Sequence, residues 1–125
     1  MLNKSLQTAI GIDKGRLKKR PEFLAVAATG QKWVSDSVII QYKPSEHSFR
    51  YGITATKRVG NAVTRNRCKR RLRAAIDTIK QQHPLNPADI VLVARHTTAT
   101  CDWDKLVGDM QWCLKRLGVT QKKIA

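Results

Sequence analysis

The sequence predicts one α+β domain with element order α-β-β-β-α-β-α, a two-layer sandwich of helices packed on a small mixed sheet. Three observations predict it. Short runs rich in β-formers, at 38–42, 49–56 and 89–94, are interleaved with amphipathic helical patterns. No repeat or linker interrupts the 125 residues, a length that suits a single domain. Hydrophobic residues make up 42% of the chain, enough for a packed core and too many for wholesale disorder.

Residues 1–14 carry no clear period and read as a flexible extension, leaving 15–118 as the domain and 119–125 as a tail. Pro21 suits the first turn of a helix and Gly30 its end, and Phe23, Val26 and Ala27 then share one face. Residues 32–34 form a short strand, broken at Ser35 and Asp36. Val38, Ile40 and Tyr42 alternate with Ile39 and Gln41 in a second strand that ends at Lys43 and Pro44. The third strand spans 49–56, where Gly52 marks either a bulge or a close approach to its backbone.

Asn61 is placed to cap a helix running to about Gln82, with Cys68, Leu72, Ala75, Ile76 and Ile79 as its apolar stripe. Pro84 and Pro87 bracket its exit. Residues 89–94 are a continuous apolar run led by one Asp, as a buried strand requires. The final helix starts at Thr100 or Asp102 and buries Leu106, Val107, Met110, Cys113, Leu114 and Leu117. Lys115 and Arg116 close its last turn before Gly118.

Charge is the dominant chemical feature. There are 24 Lys/Arg against 9 Asp/Glu, a net charge of +15 with a pI near 10.4. A small domain with such self-repulsion needs a polyanionic partner, and nucleic acid leads. No acid lies between Glu46 and Asp77, whereas that interval holds Arg50, Lys57, Arg58, Arg65, Arg67, Lys69, Arg70, Arg71 and Arg73. On the central helix Asn66, Lys69, Arg70 and Arg73 fall at i, i+3, i+4 and i+7, one polar stripe beside the apolar face. Arg67 and Arg71 lie on the other flank, and Arg65 sits in the first turn. Arg meets phosphate oxygens in pairs, Lys adds a point charge, and the helix N-terminus contributes unpaired N–H groups. Asn61 has two readings of equal weight, helix cap or contact to RNA. A second basic cluster, Lys14, Arg16, Lys18, Lys19 and Arg20, lies near the N-terminus.

Other chemistries are poorly supported. No run reaches the roughly 18 apolar residues of a membrane span, and the first thirteen residues lack the core of a signal peptide. Cys68, Cys101 and Cys113 form no CxxC and are odd in number, which fits reduced thiols in a cytoplasmic protein. The acids are scattered, so neither a metal-dependent nor an acid–base nuclease site is expected. His47, His83 and His96 lack zinc-site spacing. Trp103 and Trp112 read as core or rim packing, while Trp33 remains open as a stacking residue.

The string at 57–73, KRVGNAVTRNRCKRRLR, resembles the signature of the bacterial ribonuclease P protein subunit. The segment RLKKRPEF at 16–23 and the strand DIVLVAR at 89–95 extend the resemblance over roughly residues 15–118. The resemblance implies the protein cofactor of a ribozyme that removes the 5′ leader from precursor tRNA, with hydrolysis performed by the RNA subunit and its Mg²⁺. It also implies that Lys57, Arg58, Asn61, Arg65, Asn66, Arg67, Lys69, Arg70 and Arg73 face that RNA. Phe23, with Arg16 and Lys18 beside it, would meet single-stranded leader. No residue of the chain would be catalytic or bind metal, and the protein alone would be inactive. The family has a left-handed crossover through the basic helix, where the general rule predicts a right-handed one. Two positions depart from the pattern: Ala27 replaces a second aromatic of the first helix, and Cys68 replaces an aliphatic core residue. The main rival is a structural RNA-binding protein of ribosomal type, which size and charge fit equally. A helix-turn-helix DNA binder fails because a strand precedes the basic helix, and an autonomous ribonuclease lacks its acid–base cluster.

Overall fold

The computed structural model describes residues 15–120, so the 1–14 extension and residues 121–125 lie outside the described residues. The elements form in the expected order: α1 (Arg20–Ala28), β1 (Lys32–Val34), β2 (Val38–Pro44), β3 (Phe49–Thr54), α2 (Ala62–Gln82), β4 (Ala88–Ala94) and α3 (Trp103–Arg116). A 3₁₀ turn, Lys57–Val59, lies between β3 and α2.

The sheet order is β1-β2-β4-β3. β1 pairs antiparallel with β2, and β2 antiparallel with β4, from Val38 opposite Ala94 to Pro44 opposite Ala88. β3 runs parallel to β4, with Phe49 opposite Ala88 and Thr54 opposite Val93. Parallel neighbours cannot be joined by a hairpin, so the chain crosses over through α2. β4, flanked on both sides, is buried along nearly its whole length, which explains its unbroken apolar run.

Alternation along the strands divides the core. Val38, Ile40, Tyr51, Ile90 and Leu92 face α2 and α3, meeting Cys68, Leu72, Ile76 and Ile79 from α2 and Leu106, Met110, Cys113 and Leu114 from α3. The expected stripe of α2 is therefore fully buried, and Cys68 fills an aliphatic core position. Val91 faces the other way, where Leu17, Val26, Phe23 and Val93 form a smaller cluster under α1. Helices thus lie on both faces of the sheet, two on one and the short α1 on the other. Ala27 does not share the packed face as expected. It is exposed, because so short a helix over the sheet needs only Phe23 and Val26 to make the contact.

The domain also extends past residue 118. Val119 is buried, its carbonyl accepts from Asn86 N–H at 2.7 Å, and Thr120 forms a bridge with Leu85. The expected tail therefore contributes its first two residues to the domain, closing the exit of α2 against the end of α3.

Candidate nucleic-acid interface

The start of α2 is built by local backbone chemistry. Gly60 has φ 143°, a value L side chains rarely adopt, and a Cβ there would lie 3.0 Å from the Thr64 side chain. Asn61 follows in extended conformation and its Oδ1 accepts the Thr64 N–H at 2.9 Å. Capping therefore uses the Asn61 oxygen and leaves its amide nitrogen to meet a ligand.

Along α2, Asn66, Arg67, Lys69 and Arg70 are exposed, while Arg65 and Arg73 are half-buried. No acid precedes Asp77 on this helix, so its first turns present cations without internal neutralisation. Arg71 has a different task. Its Nη1 donates to Thr98 O at 2.7 Å and its Nη2 to Cys101 O at 2.5 Å, tying α2 to the loop that leads into α3. Charge spacing carries no signal of that role, because the acceptors are carbonyls 27 and 30 residues away.

Lys57 and Arg58 are separated from the stripe. Both are exposed on the 3₁₀ turn and line an open cleft of about 760 Å³ with Ile39, Val93, Arg95 and His96. Apolar strand residues and cations together suit a strand of nucleic acid, whose bases and phosphates need both. Arg95 is partly committed, since its Nη1 donates to Ser35 O at 2.9 Å.

α1 is held over the sheet by an ion-pair relay that sequence spacing did not reveal. Arg50 on β3 grips Asp89 on β4 through Nε and Nη2, at 3.0 and 2.9 Å, and donates from Nη1 to Glu22 on α1 at 3.0 Å. Glu22 in turn accepts the N–H groups of Lys18 and Lys19 at 2.9 Å each, capping the helix from its third residue. Those two N–H groups, Lys19 first, and then the Arg50 charge hold the Glu22 carboxyl below the usual value, against the opposing effect of burial. Because the folded value is lowered, this stabilisation is complete above the unfolded pKa of about 4.3 and is lost as pH falls through the folded value. Glu22→Gln is expected to cost about 0.5–2 kcal/mol at neutral pH, with the difference from wild type vanishing in acid. Melting curves of both proteins from neutral pH into acid check it. A difference that persists in acid would show that charge is not involved.

Phe23 is half-buried, its ring resting on the backbone of β3. A Cβ at Gly52 would lie 2.5 Å from Phe23 Cε2 and Cζ, so Gly52 marks a close approach and not a bulge. Lys18 is exposed near the start of α1. Arg16 departs from the expected grouping with Phe23 and Lys18. Its guanidinium lies 5.2 Å from the Tyr51 ring, on the α2 side of the sheet, whereas Leu17 turns to the α1 side. Period-two alternation in the segment before α1 separates these neighbours. Trp33 also faces away from the cleft: it meets Trp112 edge-on at 5.6 Å, with Arg116 over both rings.

Among the described residues no three His, Cys, Asp or Glu side chains converge to hold a metal ion, and no helix is long and apolar enough to cross a membrane. Several acids are engaged elsewhere, Glu22 and Asp89 with Arg50, and Asp36 and Asp109 with Lys105.

Comparison with known proteins agrees with this arrangement. The family model described as Ribonuclease P matches residues 13–118. The ribonuclease P protein component of Gluconacetobacter diazotrophicus is 45% identical over 106 residues, covering 83% of this chain and 91% of that protein. That of Bacillus mycoides is 33% identical over 112 residues, covering 88% and 96%. The solved structure of the Staphylococcus aureus RNase P protein superposes with a TM-score of 0.73 at 25% identity, over 86% of this chain and 98% of that one. The Thermotoga maritima RNase P protein shares the fold, with a TM-score of 0.70 at 24% identity over 81% and 96% of the two chains. With the signature helix, the crossover sheet and these relatives all in agreement, the chain belongs to the ribonuclease P protein family.

Proposed function

We propose that this chain binds the ribonuclease P RNA through α2 and the 5′ leader of precursor tRNA across the sheet face that carries α1, in a holoenzyme whose RNA performs the cleavage. The acid-free cationic face of α2 carries this reading, because phosphate would relieve its repulsion and no carboxylate precedes Asp77 on the helix to do so. Asn66, Lys69, Arg70 and Arg73, with Asn61, Arg65 and Arg67 around them, meet the RNA subunit. Lys57 and Arg58, which line the cleft, neutralise phosphates of the leader or of its junction with the RNA. Mg²⁺ belongs to the RNA and substrate phosphates, since this surface offers cations where a hard divalent ion needs clustered oxygens. The chain's contribution is to bind, orient and neutralise, so that fewer metal ions are needed to hold substrate on the ribozyme.

Cleavage of precursor tRNA with and without a bacterial ribonuclease P RNA, across a Mg²⁺ series, tests the reading. The protein alone is expected to be inactive and to lower the Mg²⁺ that the RNA requires. Metal-dependent cleavage by repurified protein alone overturns it. Recovery of ribosomal RNA instead of ribonuclease P RNA from a bacterial lysate would favour a ribosomal role.

Two substitutions separate the surfaces. Lys69→Ala or Arg70→Ala, both exposed, should leave the unfolding free energy within about 0.5 kcal/mol of wild type. Each should lower the log–log salt slope of RNA binding by roughly 0.7–0.9. Lost affinity with an unchanged slope would place the side chain away from phosphate. Phe23→Ala should weaken precursor tRNA binding to the holoenzyme by roughly 5- to 150-fold, in the lower half of that range because Ala27 supplies no second ring. Mature tRNA, lacking the leader, should bind almost as before. Since Phe23 also covers Gly52, a melting-temperature loss with normal leader discrimination would reduce it to a packing residue.

A further inference from the structure

We propose that Arg16, Arg73 and Lys80 form a clamp around Tyr51 for one backbone phosphate of the ribonuclease P RNA, extending the contact surface beyond the signature helix to the segment that precedes α1. The proposal rests on the reading above that α2 binds this RNA. Three elements meet at the clamp. Tyr51 N–H donates to Gly15 O, and Leu17 N–H donates to Tyr51 O, both at 2.8 Å, so Arg16 runs alongside Tyr51 in parallel register. Its guanidinium lies 5.2 Å from the Tyr51 ring centroid. Arg73 and Lys80, two helical turns apart, share one face of α2. The Lys80 ammonium lies 5.9 Å from the Tyr51 ring and 6.0 Å from that of Phe49.

Two observations indicate that this cluster lacks a ligand group. Both arginines have a buried Nε with no hydrogen-bond partner among the described residues, although buried donors are nearly always paired. The charge is also unbalanced. Arg16 and Lys80 lie over the Tyr51 ring and Arg73 reaches its hydroxyl, while Asp77 supplies an opposing carboxylate. The Tyr51 hydroxyl accepts from Arg73, but neither arginine's Nε has an acceptor among the described residues, and the faces of the rings attract cations without offering one in the plane of a guanidinium. A phosphodiester supplies what is missing, one negative charge and two unesterified oxygens, in the geometry that Arg forks meet in pairs. RNA is favoured over a small anion because Arg73 is also the last member of the Asn66–Lys69–Arg70–Arg73 stripe. One backbone can therefore follow α2 and arrive at the clamp.

The test is equilibrium binding of the full chain to ribonuclease P RNA over a salt series. The Arg16→Gln/Lys80→Gln double variant is expected to lose about 0.7–0.9 in log–log slope, the value of one phosphate, and each single variant part or all of it. Lys115→Gln, exposed on α3, serves as the control and should match wild type. If Arg16→Gln disturbs the pairing beside β3, seen as a lowered melting temperature, Lys80→Gln on the exposed helix face carries the test. A double variant with the wild-type slope overturns the clamp, as does a loss worth two phosphates. An unchanged slope on the RNA subunit, combined with weaker holoenzyme binding of precursor but not mature tRNA, would assign the phosphate to the leader and also overturn it. Failure of the wild-type chain to bind ribonuclease P RNA would instead defeat the parent reading, so the two failures are distinguishable.

Discussion

Arg50→Ala is expected to destabilise the domain by about 3–5 kcal/mol, toward the lower end because the Arg50 side chain is itself 29% exposed. The substitution leaves Asp89, 6% exposed near the start of the inner strand β4, without its bidentate partner, and it also releases Glu22 on α1. Removing one member of a buried pair costs more than the pair contributed, because the remaining charge stays desolvated. Denaturant unfolding monitored by circular dichroism checks the magnitude. Arg50→Lys should recover only part of the loss, since an ammonium cannot present the guanidinium fork that spans two carboxylates. The functional signature is specific: with α1 untethered, discrimination between precursor and mature tRNA should fall more than affinity for the RNA subunit. A loss below about 1 kcal/mol would mean that Asp89 finds water or another donor, and that Arg50 does not hold α1 in place.

Leu72→Ala is the second large effect, about 2–5 kcal/mol. Leu72 has no exposed surface and sits midway along the stripe that α2 presses on the sheet and on α3, so a cavity there is bounded by Ile, Leu and Met side chains that cannot all collapse inward. Its neighbours in sequence, Arg71 and Arg73, lie on other faces of the helix. RNA binding by the folded fraction should therefore keep the wild-type salt slope. That outcome is the mirror image of Lys69→Ala, which alters the slope and spares stability. A Leu72→Ala variant as stable as wild type would contradict the burial of this stripe.

Several features were legible in the sequence because they depend on near neighbours. The α2 stripe from Cys68 to Ile79, the Asn61 cap, and the buried run of β4 follow from helical and strand periods acting over a few residues. The cationic stripe of α2 was legible for the same reason: Asn66, Lys69, Arg70 and Arg73 share a face by helical geometry alone. The string from Lys57 to Arg73 was specific enough to indicate the family.

Tertiary structure decided what depends on distant partners. Arg71 reads as one more surface cation, yet it binds carbonyls in the loop before α3. Arg50 reads as part of a basic run, yet it is the centre of an ion-pair relay among α1, β3 and β4. Lys57 and Arg58 adjoin the stripe in sequence but line a cleft on the other side of the sheet. Arg16 adjoins Lys18 and Phe23 but crosses to the side of Tyr51 and Arg73. The physical reason is common to all four. Local periodicity sets the direction of a side chain relative to its own element, while the sheet order β1-β2-β4-β3 sets which elements it meets there. The sequence by itself thus determined the elements, the buried faces of α2 and β4 and the polyanionic partner, and only the packing of α1 and α2 on opposite faces of the sheet determined how the cations are shared between two surfaces.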